Sequence, residues 1–292
     1  MQRFTINESQ NNKKIVQVIT SKYPNVSISA IYKALRQKDI KVNGGRIKED
    51  VKVENGDYVE IYISDDILNN TADVSLVYED KNLLIVNKPQ GLKVHPDKED
   101  DTKSLVEILT EKYGEEIGLC HRLDRNTGGL IIAAKNKEAI SIITEKIKNN
   151  EITKVYRCMV HGKLSKKHEE LTAFHNKDAK NSLVYIKDEP SPGASKIITV
   201  YDLISYDKGT DISIADITLI TGKTHQIRAH MAYIGHPVVG DGKYGSNELK
   251  RKLGQKHKYQ KLYAYKLVFA FKTDAGIMNY MKNELIAIDP LF

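Results

Sequence analysis

Cysteine is the first scarcity: Cys120 and Cys158 are the only two among 292 residues. Two thiols at that spacing build neither a disulfide framework nor a zinc site. No stretch approaches the ~18 consecutive apolar residues of a membrane helix. The opening MQRFTINESQNNKK lacks the apolar core of a secretory signal. Membrane and disulfide-rich secreted classes are therefore set aside, and a reducing cytoplasm is the expected setting. Cofactor motifs are missing too. Gly222-Lys223-Thr224 mimics the end of a phosphate loop, but that loop needs a glycine five residues earlier, where Ile217 stands. There is no HExxH. His225 and His230, if helical, would lie roughly 140° off a common face. No metal and no nucleotide cofactor is expected.

What is present is an ordinary globular balance, 40% apolar and 28% charged residues. The length allows one large domain with a smaller satellite. The net charge of +7 is unevenly spread. Residues 1–48 carry ten Lys or Arg against Glu8 and Asp39, whereas 49–66 set Lys52 against Glu49, Asp50, Glu54, Asp57, Glu60, Asp65 and Asp66. A basic block followed by an acidic one suggests a face for phosphates.

The first unit is expected to span 1–65. Ser29 can cap a helix through Lys38 whose apolar stripe is Ile28, Ile31, Tyr32 and Leu35. IKVNGGRI reads as strand, tight turn and return strand. NGDYVEIYI alternates as a half-buried strand. Residues 66–75 read as a linker and 76–292 as the larger domain. There, two apolar runs flank a turn at 79–82, and SLVEILTEKYG is a helix stopped by Gly114. KEAISIITEKIKNN places Ala139, Ile142, Ile143 and Ile147 on one helical face. ITKVYRCMVHG is a strand, and DISIADITLITG another whose phase changes near Ala215-Asp216, as a bulge would cause. Tyr263, Tyr265, Leu267, Phe269 and Phe271 keep a period of two. Strands outnumber helices without βαβ alternation, which predicts an α+β domain with a mixed, mostly antiparallel central sheet and flanking helices.

Two segments carry chemistry. HRLDRNTGGL, residues 121–130, places Asp124 between Arg122 and Arg125 before a turn at Gly128-Gly129. Nearby cations favour a carboxylate's charged form. TGKTHQIRAHMAYIGHPVVGDGKYG, residues 221–245, reads as a helix capped by Thr224 and ended at Gly235-His236-Pro237. Ile227, Met231 and Ile234 form its buried stripe, and His225 and Arg228 share a face in its first turn. An exposed guanidinium there opposes the helix dipole, and Asp124 is the best anion to explain it. His230 and His236 read as hydrogen-bonding groups rather than ligands.

Together with KVYRCMVHG and LVYEDKNLLIVNKPQGLKVHP, these segments closely resemble, in order and spacing, the motifs of the RluA family of pseudouridine synthases. Residues 27–63 resemble the alpha-L RNA-binding motif. The resemblance implies the pseudouridine synthase fold with a small N-terminal α/β RNA-binding domain. It also implies isomerisation of uridine in RNA, in the branch acting on large-subunit ribosomal RNA, by a monomer needing no cofactor. It assigns Asp124 as the catalytic carboxylate, Arg228 as its partner and Tyr156 as the active-site tyrosine. Arg122 would fill the vacated space or hold the flipped nucleotide, with His121 and His225 binding substrate. Lys33, Arg36, Lys38, Lys41 and Arg46 would meet RNA phosphates. Departures are Gly128, where the family often has Ser, and Tyr263, where it often has His. Two other readings stay open: a non-catalytic RNA-binding or ribosome-assembly factor, and the same activity on transfer RNA.

Overall fold

The computed structural model describes residues 1–23, 26, 28–63, 68, 74–97, 102–178, 183–245 and 257–292. The chain forms two compact units, Met1–Val74 with His95–Ile108, and Ser75–Val94 with Leu109–Phe292. Sequence spacing gave no sign that 95–108 belongs with the first unit. Most of the expected linker lies outside the described residues, but Leu68 is buried in the first unit's core.

The first unit contains β1 (Gln2–Thr5), β2 (Lys13–Lys14), α1 (Ile15–Lys22), α2 (Ile28–Gln37), β3 (Ile40–Val42), β4 (Gly45–Ile47), β5 (Lys52–Val53) and β6 (Tyr58–Ile61). Antiparallel pairing gives the order β1-β6-β3-β4, with β2 on β5. The hairpin at Asn43-Gly44 forms as expected, with positive φ at both residues (51° and 78°). That combination matches the right-handed twist of the strands it joins. α1, which was not anticipated, buries Ile15 and Ile19 against Ile31 and Leu35 of α2 and Val59 and Ile61 of β6. Two details of α2 differ from expectation. It already includes Ile28, and the side chain of Ser29, the expected cap, lies outside what is described. Its buried stripe is Ile31, Ala34 and Leu35, while Ile28 and Tyr32 face solvent.

The second unit adds β7 (Ser75–Glu79), β8 (Leu83–Lys88), β9 (Gly118–Leu119), β10 (Gly128–Ala134), β11 (Ile152–His161), β12 (His168–Asp178), β13 (Leu183–Lys187), β14 (Ser195–Asp207), β15 (Ile212–Leu219), β16 (Leu262–Phe269) and β17 (Leu285–Ala287). Helix α3 (Leu105–Tyr113) runs across the boundary between units, and α4 (Lys137–Lys148) and α5 (Gln226–Tyr233) complete the set. The main sheet runs β13-β12-β14-β15-β11-β16-β10-β8-β7, with β17 on β16 and β9 on β10. Every described pairing in it is antiparallel except β10 with β16. The α+β architecture is therefore as expected. Ala139 and Ile143 of α4 pack on Leu130, Ile132, Leu267 and Phe269. The bulge expected in β15 sits instead on its neighbour β14, where Ile204 is the extra residue between the Leu203–Ala215 and Ser205–Ile214 pairs.

Register brings the chemistry together. Ala264 of β16 pairs with Gly129 on one side and with Tyr156 on the other. The loop that ends at β10 therefore stands level with Tyr156, two strand spacings away, roughly 10 Å. Gly129 (φ 113°) makes this approach possible, since a Cβ there would lie 2.1 Å from the Ala264 carbonyl oxygen. Gly128 and Tyr263, the two positions where the sequence departs from the pattern it resembles, are in contact. A Cβ on Gly128 would lie 2.4 Å from the Tyr263 ring, so the larger residue at 263 occupies what a side chain at 128 would need.

Candidate active site

The segment carrying Asp124 is held by its own backbone and by a buried lysine. The Thr127 amide donates to the Asp124 carbonyl (3.1 Å). Lys88, fully buried at the end of β8, donates to the carbonyls of Pro89 (2.9 Å), Leu92 (2.9 Å) and Arg125 (3.0 Å). Three acceptors match the three N–H groups of an ammonium. Burial nevertheless pulls the Lys88 ammonium down to about 7, against the opposing pull of the Asp124 charge. Gln90 donates to Asn126 O (3.0 Å), and Gln260 to Thr127 Oγ1 (2.7 Å). The KPQG corner thus acts as the clamp on residues 124–127.

Asp124 Oδ2 accepts a hydrogen bond from Arg228 Nη1 at 2.9 Å. Oδ1 has no bond to a described residue. The expected pairing with Arg228 is present, but Arg122 and Arg125 do not hold the carboxylate. Arg122 is exposed, and Arg125 Nε donates to Gly91 O (3.0 Å). Arg228 also corrects an expectation, for it is buried (8% exposed). Its other donors are taken by Asp241, Nε to Oδ2 at 2.6 Å and Nη2 to Oδ1 at 3.0 Å. A bidentate fork of this kind fixes the guanidinium plane. Burial alone would raise the Asp241 carboxyl, but the bonds and charge of Arg228 outweigh it and hold the group below the usual range. The amides of Lys243 (2.7 Å) and Tyr244 (3.1 Å) add to the hold on Oδ1.

Helix α5 starts one residue later than the Thr224 cap would place it. His225 precedes it at φ 55° and makes no side-chain cap. Histidine visits this left-handed region more readily than most residues. Here it brings Nε2 to 3.9 Å from Asp124 Oδ2 while Nδ1 lies 2.8 Å from the Tyr244 hydroxyl. Burial lowers the His225 pKa, with the Asp124 charge opposing. His121 Nε2 accepts the Ile132 amide (3.1 Å), and burial pushes that imidazole down to about 3. It is therefore neutral, with its proton on Nδ1. Tyr156 is buried, and desolvation with the nearby Asp124 charge raises its phenol, so it stays protonated. These side chains line a cavity of about 580 Å³ that also touches Arg122, Lys154 and Lys223.

The cavity thus brings together Asp124, Tyr156, Arg228, Arg122, His121 and His225. His230 and His236 instead bond structural partners, Thr199 Oγ1 (3.0 Å) and His161 O (2.9 Å). Among the described residues no three His, Cys, Asp or Glu side chains cluster to hold a metal. Lys33, Arg36, Lys38, Lys41 and Arg46 all belong to the first unit. Of these, Lys33, Arg36, Lys38 and Arg46 are exposed. Arg46 donates to Lys38 O (2.9 Å) and Lys41 lies 3.8 Å from Glu60.

Sequence reasoning missed three members of this site. Asp241 and Tyr244 lie inside the GDGKYG stretch, so a carboxylate and an aromatic were in view without an assigned partner. Tyr244 accepts the Val184 amide (3.1 Å) and lies under the Arg228 guanidinium at 5.2 Å. Lys88 carried a signal as well, a charge ending the apolar run LLIVNK. A lysine there is buried only if backbone carbonyls receive it.

Residues 82–233 match the model of the RNA pseudouridylate synthase family. An RNA pseudouridine synthase of Mycoplasma genitalium is 31% identical over 291 residues, covering 91% of this chain and 88% of its own. The ribosomal large subunit pseudouridine synthase C of Buchnera aphidicola subsp. Schizaphis graminum is 31% identical over 283 residues, covering 88% and 85%. Human RNA pseudouridylate synthase domain containing 1 shares the fold, with a TM-score of 0.57 at 22% identity over 76% of this chain and 91% of that one. No helix among the described residues is long and apolar enough to cross a membrane. With half the chain matched by the family model and nearly all of it by a relative at 31% identity, this chain belongs to the RluA family of pseudouridine synthases and is an isomerase acting on RNA.

Proposed function

We propose that this enzyme isomerises uridine in large-subunit ribosomal RNA, as a cytoplasmic monomer, with Asp124 as its catalytic carboxylate. The observation that carries the chemical reading is the asymmetry of that carboxylate. One oxygen is tied to a buried, doubly held arginine, and the other faces a cavity with no partner among the described residues. The relatives named as acting on the large ribosomal subunit support the substrate.

The reaction breaks the bond from C1′ to N1, turns the uracil, joins C1′ to C5, moves the C5 proton away and returns one to N1. Nothing is oxidised or reduced. The free oxygen of Asp124 serves as nucleophile or as the charge opposite a ribosyl cation. Arg228, anchored by Asp241, keeps that charge in place. Tyr156 offers a ring face to the uracil and a neutral hydroxyl to the late proton transfer. The base must leave its stack to reach the cavity, at a cost of a few kcal/mol, about 2–4. Arg122, at the exposed edge, occupies the vacated space, and His121 and His225 flank the nucleotide. In the first unit, Lys33, Arg36, Lys38, Lys41 and Arg46 of an alpha-L type module attract the RNA backbone.

The test is to map pseudouridines in ribosomal and transfer RNA from cells that have or lack the protein. A large-subunit site that disappears without it, and returns with the wild type but not with Asp124→Asn, is the expected result. Loss confined to transfer RNA would redirect the substrate. Restoration by the Asn variant would leave the non-catalytic factor as the better account.

A further inference from the structure

Four cations line the Asp124 cavity without an ion pair to any described residue: Arg122, Lys148, Lys154 and Lys223. Lys154 differs from ordinary surface lysines because it is partly enclosed. It projects from β11 two residues before Tyr156, and both line the cavity. Successive odd or even positions of a strand share a face, so Lys154 and Tyr156 reach the cavity from the same side. No described hydrogen bond receives the Lys154 ammonium. Burial lowers its affinity for a proton and no carboxylate offsets that. Its charge acts on His121, which burial keeps neutral and whose Nδ1 is buried with no partner among the described residues. An enclosed charge normally has a partner or loses its proton.

We propose that Lys154 is an anion subsite of this cavity that takes one backbone phosphate adjacent to the target nucleotide, fixing the strand while Tyr156 faces the base. The proposal rests on the reading of RNA uridine as substrate. A phosphodiester suits the position better than a uracil carbonyl, since a carbonyl would satisfy a hydrogen bond but leave the enclosed charge unmatched. Arg122, Lys148 and Lys223 add positive potential around it, and Asp124 is already matched by Arg228.

The experiment uses the full-length protein and a short RNA containing the uridine it modifies. Single uncharged methylphosphonates are walked through the linkages on either side of the target nucleotide. Binding and single-turnover rate are measured for wild type, Lys154→Met and Lys154→Arg. The expected result is one sensitive linkage, where neutralisation weakens wild-type binding by about tenfold. Lys154→Met should cost about the same on natural RNA and less than about twofold more at that linkage, the non-additivity of a direct pair. Its salt slope should fall by about 0.7. Lys154→Arg should recover most of the affinity and of the single-turnover rate. Equal losses for Lys154→Met at every linkage, or a wild type indifferent to all of them, would overturn the subsite. The second result decides even if the Met variant folds poorly. A wild type that modifies no RNA defeats the substrate reading itself, and the subsite with it.

Discussion

The charges at the Asp124 cavity and those of the first unit are held in opposite ways. In the second unit, Arg228 is 9% exposed at its side chain, Asp241 is fully enclosed, and the two meet at hydrogen-bond distance. In the first, Arg3–Glu60 and Lys14–Asp50 are separated by 3.6 Å with their cations 53% and 62% exposed. Lys33 and Arg36 are exposed and have no described ion pair. Exposed pairs of the second kind are worth about 0–1 kcal/mol, whereas removing one partner of a buried pair costs about 3–5 kcal/mol. A charge that must meet a fleeting transition state has to be fixed beforehand. Charges that attract a polyanion need only be numerous and uncommitted. The contrast predicts that substitutions in the two units will fail in different assays.

The largest effect should follow Asp124→Asn. The amide retains the shape and can still meet Arg228 through its oxygen, but it has neither the charge nor the nucleophilicity. Turnover should fall at least about ten-thousandfold, ~5 kcal/mol in the barrier, with RNA affinity and melting temperature close to wild type. A residual rate within about tenfold of wild type would remove Asp124 from its role.

Arg228→Met should damage both rate and stability, which separates it from Asp124→Asn. Asp241 keeps two backbone amides but loses its only described cation. In the wild type its carboxyl is held below the usual range, so its contribution to stability is full above the ordinary carboxylate pKa. That contribution is lost as pH falls through the lowered value. In the variant burial is opposed only by the two backbone amides, and the sign reverses. The penalty, about 3–5 kcal/mol at neutral pH, should shrink as acidification protonates Asp241. Melting curves at pH 7 and pH 4 provide the check. A deficit that grows at the lower pH would contradict the proposed pair, and Asp241→Asn in the same background should relieve much of the neutral-pH loss.

These pairs also mark how far the sequence could be read. The hairpin at Asn43-Gly44, the buried face of α4 and the alternation of β16 were visible because turn chemistry and periodicity are local. The Asp124–Arg228 pair was accessible because only one strong anion in a motif could match a cation placed against the helix dipole. Spacing cannot tell which face has neighbours, which explains the misplacement of Ile28 and Tyr32 in the core and of Arg228 on the surface. Nor can it assign a bulge to one of two paired strands, so Ile204 was invisible while Ala215-Asp216 drew attention. Asp241 needed a three-dimensional argument, because its role comes from the arginine it holds. The grouping of His95–Ile108 with the first unit depends on packing between segments far apart in the chain.

A smaller effect tests the coupled departures at 128 and 263. Gly128→Ser alone places a Cβ against the Tyr263 ring, whose hydroxyl donates to Asn87 Oδ1 at 2.6 Å and resists displacement. Overpacking of this kind costs about 1–3 kcal/mol. Adding Tyr263→His should recover most of the loss, and the double-mutant cycle should show strong coupling. Additive losses would mean that the two positions vary independently.

The smallest effect per residue belongs to the first unit. Deleting residues 1–65 would be an unclean test, because His95–Ile108 packs in the same unit and would lose its surroundings. Replacing Lys33, Arg36, Lys41 and Arg46 by Gln keeps the chain intact. Every phosphate left without its cation should flatten the slope of log affinity against log salt by about 0.7–0.9. The single-turnover rate at saturating RNA should stay near wild type, since none of the four belongs to the unit that carries Asp124, Tyr156 and Arg228. Melting temperature should change little, because Lys33 and Arg36 have no described ion pair and Lys41 only a long one to Glu60. Arg46 is the instructive member, for its Nη1 already serves the Lys38 carbonyl. Restoring Arg46 alone should therefore recover less of the slope than restoring Lys33 or Arg36. An unchanged slope in the fourfold variant would show that the first unit is not where the backbone is gripped, and a collapsed saturated rate would show that its charges are committed to the chemistry after all.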